Sequence, residues 1–151
     1  MSGNIFEYYV KRKKAPKAAE KAALYGAALA EAKDVAALVR KLMGKDEARE
    51  HFIVLYLSCD HKVVGYDHHA IGADNEVHVY PREVYRAALL AGAVDIILAH
   101  NHPSGACDPS PADDELTRRL KSAGELLGIR VLDHVVVTDK SFFSYADKRR
   151  L

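Results

Sequence analysis

Short apolar runs alternate with amphipathic segments along most of the chain. Runs rich in β-branched and aromatic residues are typical of strands, whereas alanine-rich segments and apolar residues at three- to four-residue spacing favour helices. On this basis we predict strands over residues 4–10, 51–58, 63–72, 76–80, 94–100, 129–139 and 141–146. We predict helices over residues 17–32, 35–43, 81–92 and 111–127. Whether the first two segments form one helix or two stays open.

Capping and turn residues define several of these boundaries. Asp34 is the predicted N-cap of the second helix, Gly44 is predicted to end it, and Gly128 is predicted to end the last one. Residues 59–62 suit a hairpin turn between two strands. The last helix has a clear apolar face, formed by Leu116, Leu120, Ala123 and Leu127. The alternation of helices and strands predicts one α/β domain with a mixed β-sheet flanked by helices.

The composition is that of an ordinary globular protein. The chain has 151 residues, 49% of them hydrophobic and 28% charged, with a formal net charge of +1, so no global field favours nucleic acid or an anionic membrane. Its two cysteines, Cys59 and Cys107, form no disulfide framework and fit a reducing compartment. The first residues lack the apolar stretch of a signal peptide, and no run is long enough to span a bilayer. We therefore expect a cytoplasmic protein with no membrane partner. The local exception in charge is the basic run at residues 11–14, which is either a solvated segment or a nucleic-acid contact.

The segment "ILAHNHPSGACDPSPADDEL" concentrates the candidate chemistry. His100 and His102 end an apolar strand, and residues two apart in a strand share a face, so their imidazoles can converge on one ion while Asn101 points away. Ligands commonly bind at such strand ends in open α/β sheets. Asp113 falls in the first turn of the next helix, where a carboxylate is favoured by the helix dipole. Two histidines and one aspartate leave a fourth position for water, which is the pattern of a catalytic zinc site.

A simpler interpretation of the same residues is helix capping. Ser110, Pro111 and Asp113 occupy the N-cap, N1 and N3 positions of a capping box, which would stabilise the helix with or without a metal. Both interpretations stay open at the level of residue spacing.

The spacing as a whole resembles the signature of the JAB/MPN (JAMM) metallopeptidases: an upstream glutamate, then His-x-His, seven residues, serine, two residues and aspartate. Here the later part is His100, His102, Ser110 and Asp113. The segments "PREVYRAALLAGAVDIILAHNHPSG" and "LLGIRVLDHVVV" resemble the RadC branch of that family, and the likeness covers about residues 46–145.

This resemblance implies a fold and a domain organisation. It implies a single MPN-type catalytic domain with cytidine-deaminase-like layering over residues 46–151, with a strand and an alanine-rich helix of residues 1–45 packed on it. The chain is similar to short RadC-like proteins of mobile elements, without the helix-hairpin-helix region of longer RadC proteins.

The resemblance also implies roles for individual residues. One zinc ion per chain would be held by His100, His102 and Asp113, and Ser110 would donate a hydrogen bond to the zinc-bound water or to the oxyanion. The family's general base is a glutamate that precedes an apolar strand. Glu50 fits that position best, and Glu83 is the alternative.

Three functions compete on this basis. The first is a zinc metallopeptidase or isopeptidase that cuts an amide bond in a protein or peptide, such as the tail of a ubiquitin-like protein. The second is a RadC-like DNA-repair-associated protein, for example a metal-dependent nuclease, for which the basic run is the evidence. The third is an inactive scaffold, which the complete ligand set argues against. A homodimer is compatible with the resemblance, because MPN-type domains often pair.

Two further residues lie close to the motif. His134 belongs to the RadC-like segment but lies in an apolar strand, so we expect a hydrogen-bonded core histidine, with support of a metal ligand as the alternative. Cys107 lies in the loop between the ligands, where it is either an ordinary loop residue or a redox-sensitive thiol near the metal.

Overall fold

The computed structural model describes residues 25–27, 29–44, 48–72 and 79–151. Within these ranges there are three helices and five strands, which we number in chain order. The helices are α1 (Ala32–Met43), α2 (Pro81–Leu90) and α3 (Pro111–Leu127). The strands are β1 (Glu50–Leu57), β2 (Val63–Gly72), β3 (Asp95–Asn101), β4 (Arg130–Val137) and β5 (Phe142–Ser144).

The strands form one five-stranded sheet in the order β2-β1-β3-β4-β5. Strands β3 and β4 run parallel, and every other neighbouring pair is antiparallel. The parallel pair is connected through α3, as a crossover connection requires. The predicted α/β class and mixed sheet are therefore confirmed.

Both faces of the sheet are covered, which explains why its central strands are apolar throughout. On one face, α2 and α3 pack through Val84, Ala88 and Leu120 against a core that includes Phe52 and Leu98. On the other face, α1 packs through its buried residues against alternate positions of the same strands, in a core of Val35, Ala36, Val39, Ile53, Leu55, Ile97, Ala99 and Val135. Among the described helices, none has the length and apolar content needed to cross a membrane.

Among the described residues of the predicted helix 17–32, Ala32 is helical as predicted and the others are not. Residues 25–27 and 29–31 are not helical, and Gly26 has a φ of 83°, a left-handed conformation that breaks a helix. The Gly26 N–H donates to the Val63 carbonyl, which holds this segment beside β2. Helix α1 begins instead at Ala32, with Glu31 as its N-cap. Asp34 is therefore not the N-cap but the N3 residue, whose carboxylate accepts from the Glu31 N–H at 3.0 Å.

Most of the other boundaries agree with the pattern. The last helix covers residues 111–127 as predicted, and Gly128 ends it with a φ of 70°. Leu127 departs from the prediction because it is 47% exposed at the helix end. Of the predicted strand at 76–80, only Val79 and Tyr80 can be checked; neither is in a strand, and Tyr80 is the N-cap of α2. The remainder of that strand, the strand at 4–10 and the basic run lie outside the described residues.

Helices α2 and α3 approach closely at Gly124. The Tyr85 hydroxyl donates to the Leu120 carbonyl at 2.6 Å. A Cβ at position 124 would collide with that hydroxyl and with the Ile129 carbonyl oxygen. The absence of a side chain at Gly124 thus sets the position of α3 on the sheet.

Candidate metal centre

Strand β3 delivers two histidines to one end of the sheet. Its register places His100 opposite Phe52 of β1 and beside Val136 of β4, so the residue is held on both sides. The strand pleat directs His100 and His102 toward α3. Asn101 points to the other face, where its side chain accepts from the His51 N–H at 2.7 Å and donates to the Arg49 carbonyl at 2.9 Å. These two hydrogen bonds fix the end of β3 and therefore the two histidines.

Three possible ligand atoms meet at this point. The Nε2 atoms of His100 and His102 are 3.0 Å apart. Asp113, in the first turn of α3, places one carboxylate oxygen 3.3 Å from His100 Nε2 and the other 3.3 Å from His102 Nε2. Within the described part of the chain this is the single cluster of at least three such side chains that could hold a metal ion.

The geometry of this cluster fits zinc. Ligand atoms about 2.0–2.2 Å from a tetrahedral ion lie about 3.3–3.5 Å from one another, close to the three separations observed here. Nitrogen and carboxylate oxygen are the donor types that zinc accepts, and three protein ligands leave one coordination position for water or substrate. The residues present therefore fit the metal that the sequence pattern predicts.

Hydrogen bonding prepares His102 to act as a ligand. Its Nδ1 lies 2.8 Å from the Ala106 carbonyl, which can only accept, so Nδ1 carries a hydrogen. In the neutral ring Nε2 is then left with a lone pair directed at the cluster. Contact with Asp113 raises the pKa of His102, and the charge of Glu50 adds to this effect. The centre thus attracts a positive charge, either a proton on His102 or a metal ion.

Asp113 is held in its ionised form. Burial alone would raise the pKa of its carboxyl, but the hydrogen bonds to His100 and His102 outweigh burial and hold that pKa well below its usual range. Asp113 is therefore an anion at neutral pH, as a metal ligand has to be.

Comparison with known protein families gives evidence on the family of the chain that does not depend on the geometry of the centre. The family model described as "RadC-like JAB domain" matches residues 29–150. The chain belongs to the RadC-like JAB domain family.

Curated relatives support the same assignment. The chain is 42% identical over 111 residues to a UPF0758 protein of Histophilus somni, an alignment that covers 74% of this chain and 49% of the relative. It is 44% identical over 102 residues to a UPF0758 protein of Chlorobaculum tepidum, covering 68% and 46% respectively. A UPF0758 protein of Desulforudis audaxviator is 46% identical over 96 residues, covering 64% and 42%. The chain thus spans about half the length of the curated relatives that it matches.

The structure places the two candidate glutamates of this RadC-like domain differently. Glu50 is the first residue of β1, two positions before Phe52, and so faces the same side of the sheet as Phe52 and its neighbour His100. Its charge contributes to the raised pKa of His102. Glu83 lies in the first turn of α2, and its charge is not among the causes that shift the pKa values of His102 or Asp113. The geometry therefore favours Glu50 over Glu83 as a group that acts at the cluster.

Ser110 has the capping role that its spacing allows. Its Oγ accepts from the Asp113 N–H at 3.2 Å and donates to an Asp113 carboxylate oxygen at 2.7 Å. The Ser110 N–H donates to the same carboxylate oxygen at 2.7 Å. Capping and ligand geometry therefore coexist in Asp113, because one carboxylate oxygen serves both the helix terminus and His102.

Two contacts support His100 from neighbouring elements, and the sequence raised only the first of them, as the alternative role of His134. His134, on β4, has its Nε2 2.8 Å from His100 Nδ1, and Thr117, on α3, contacts the other nitrogen of the same ring. His134 is fully buried and hydrogen-bonded, as expected for a core histidine, but its partner is the candidate ligand itself. The Thr117 contact arises from the packing of α3 on β4, which no local pattern encodes.

Cys107, in the loop between His102 and Asp113, contacts the turn between β4 and β5. Its Sγ is 2.7 Å from Ser141 Oγ and 3.4 Å from Thr138 Oγ1, in the turn between β4 and β5. These contacts tie the loop to the sheet edge and give the thiol a structural role. A redox role for Cys107 stays a prediction.

Proposed function

We propose that this RadC-like JAB domain is a zinc-dependent hydrolase of amide bonds in proteins or peptides. The substrate class would include the flexible tail of a small folded modifier such as a ubiquitin-like protein. Because the chain covers only part of the length of its relatives, the proposal concerns the chemistry of this domain and not a whole longer protein.

One observation carries the proposal: three acceptor atoms from two elements converge at the separations of a tetrahedral metal site. Two imidazole nitrogens and a carboxylate within 3.0–3.3 Å of one another need a shared proton or a metal ion between them. A purely structural role would not require His100, which is buried, and His102 to point at the same carboxylate. The arrangement at the end of β3 is therefore best explained by a bound ion.

The residues of the chain have distinct parts in the proposed reaction. His100, His102 and Asp113 would hold zinc, which when bound supplies an activated water and a Lewis acid for the amide carbonyl. Glu50, at the start of β1, would take a proton from the attacking water and deliver it to the departing amine. Ser110 would donate its hydroxyl hydrogen to the oxyanion of the substrate, in exchange for its present hydrogen bond to Asp113.

Metal analysis combined with a hydrolysis assay tests this proposal. Purified protein is expected to contain one zinc per chain and to cleave a peptide or a modifier fusion, with loss of cleavage in the presence of a chelator and recovery on adding zinc. Glu50→Gln is expected to retain zinc and lose turnover, by about 100-fold or more if the carboxylate is the general base.

Glu83→Gln is the matched control, because it makes the same chemical change in the first turn of α2. It is expected to retain both zinc and activity. Normal turnover in Glu50→Gln would remove Glu50 from the mechanism, and zinc-free protein after preparation in excess zinc would remove the proposal as a whole.

A further inference from the structure

A buried chain of hydrogen bonds leads from α3 through β4 to His100. The Thr117 hydroxyl lies 2.6 Å from the Asp113 carbonyl and 2.6 Å from His134 Nδ1. The other nitrogen of His134, Nε2, lies 2.8 Å from His100 Nδ1. All three side chains of this relay (Thr117, His134 and His100) are at least 97% buried.

The direction of each hydrogen bond in the relay can be deduced. The Asp113 carbonyl has no hydrogen to give, so a 2.6 Å contact requires the single hydroxyl hydrogen of Thr117. With that hydrogen committed, Thr117 can only accept from His134, which places the His134 hydrogen on Nδ1. His134 Nε2 is then an acceptor, and His100 must donate from its own Nδ1.

The ring of His134 is held in place in this arrangement. It is fully buried and stacks on Tyr145 with the centroids 5.1 Å apart and the planes within 12°. With one nitrogen donating and the other accepting, the ring transmits to His100 the hydrogen-bond direction that Thr117 sets.

We propose that Thr117 and His134 are positioning residues that hold His100 in its Nδ1–H tautomer, so that the Nε2 lone pair faces the metal centre. The metal part of this inference rests on the proposed function, whereas the tautomer is a property of the zinc-free protein. Asp113 is coupled to the same relay through its carbonyl, so the hydroxyl of Thr117 serves two ligands.

Removal of the Thr117 hydroxyl is expected to reverse the direction of the hydrogen bond between His134 and His100. In Thr117→Val, which preserves size and β-branching, a hydrogen on His134 Nδ1 would have no acceptor, which is unfavourable for a buried group. With its hydrogen on Nε2 instead, His134 donates to His100 Nδ1. His100 then carries its hydrogen on Nε2, next to an Asp113 oxygen 3.3 Å away. The lone pair that faces the centre is lost.

Nitrogen-15 NMR of the zinc-free protein tests the relay directly, because the ring nitrogen shifts distinguish the two tautomers. The wild type is expected to show Nδ1–H for both His134 and His100, and Thr117→Val is expected to show Nε2–H for both. Thr117→Ser keeps the hydroxyl and is the matched control, with wild-type tautomers. Nε2–H at His100 in the wild type, or unchanged tautomers in Thr117→Val, would overturn the proposal.

Zinc affinity, measured by competition with a chromophoric chelator, is the second readout. Thr117→Val is expected to bind zinc about 10- to 100-fold more weakly than the wild type, the range typical for loss of an outer hydrogen bond to a ligand. Equal affinities would overturn the role in metal binding. A wild type that binds no zinc but shows the expected tautomers would refute the proposed function and leave the relay established.

A second pair of variants covers the case in which Thr117→Val fails to fold. In His134→Gln the side-chain amide oxygen can accept from His100 Nδ1, whereas His134→Phe keeps the ring but offers no acceptor. Zinc affinity is expected to be closer to wild type in His134→Gln than in His134→Phe. The opposite order would mean that the ring matters for packing alone and would overturn the proposal.

Discussion

Asp113 is both a capping residue and a candidate ligand, and these two roles can be separated by a pair of substitutions. Ser110→Ala removes the hydroxyl that accepts from the Asp113 N–H and donates to its carboxylate. Loss of such a cap costs about 1 kcal/mol of unfolding free energy. Asp113→Asn keeps a side-chain oxygen for the Ser110 N–H, which now donates at 2.7 Å, but removes the negative charge from the centre.

The increase in the free energy of unfolding on zinc binding distinguishes the capping role of Asp113 from its role as a ligand. At a zinc concentration 1,000 times Kd, binding adds about 4 kcal/mol, which is about 8–16 °C in Tm for a domain of this size. We expect this full increment in the wild type and most of it in Ser110→Ala, because the Ser110 N–H still donates to the Asp113 carboxylate at 2.7 Å. A 100-fold loss of affinity in Asp113→Asn would leave an increment of only about 1.4 kcal/mol.

Thermal unfolding followed by circular dichroism, with saturating zinc and with chelator, measures the zinc increment and the chelator baseline of each of the three proteins. The two variants are expected to lose similar stability in chelator and to differ only when zinc is present. If Asp113→Asn gains as much from zinc as the wild type does, or if the wild type gains nothing, then Asp113 serves the helix terminus alone.

Three other expectations follow from the structure. Gly124→Ala is expected to lower the free energy of unfolding by about 1–2 kcal/mol, seen as a lower urea midpoint. The reason is that overpacking against Tyr85 and Ile129 outweighs the gain in helix propensity of about 1 kcal/mol. An unchanged midpoint would mean that α2 and α3 can separate without cost. The pKa of His134 in the folded protein is lowered from its ordinary value of 6.5. Below pH 6.5 the unfolded zinc-free chain therefore binds a proton at this residue, whereas the folded protein does not. Its stability should therefore fall from pH 6.5 to 5, by up to about 1.4 kcal/mol per pH unit, and less steeply in His134→Gln; urea titrations with equal slopes for the two proteins would contradict this. Finally, we expect no salt-sensitive gel shift of DNA, and a shift that disappears on neutralising residues 11–14 would favour the nucleic-acid interpretation.

The sequence predicted the elements that carry the centre because their signals are local. An apolar β3 and a capped amphipathic α3 follow from patterning, and His-x-His places two rings on one face of a strand. The N-terminal part was less predictable: alanine content favoured a helix through residue 31, but the tertiary hydrogen bonds of Gly26 and Ala27 to Val63 hold an extended segment there. Helix propensity is weak enough for such contacts to override it.

Partners between elements could not be predicted from spacing. His134 stands 32 or more residues from both candidate histidine ligands, and its approach to His100 depends on the parallel pairing of β3 with β4, whose register places His134 beside Leu98. Glu50 likewise faces the same side of the sheet as His100 because the antiparallel register of β1 on β3 places Phe52 opposite His100. Residue spacing predicted the candidate ligands, whereas the sheet topology determines which residues lie next to them.

The ligands and their orienting residue also enter the chain at different times during synthesis. All three candidate ligands lie in β3, α3 and the loop between them, whereas His134, which we propose orients His100, follows on β4. If the centre binds zinc as proposed, a nascent chain that ends after α3 would contain all three candidate ligands but would bind the metal more weakly. Affinity would rise when β4 docks in register beside β3, so that tight metal loading would follow the pairing of these two strands.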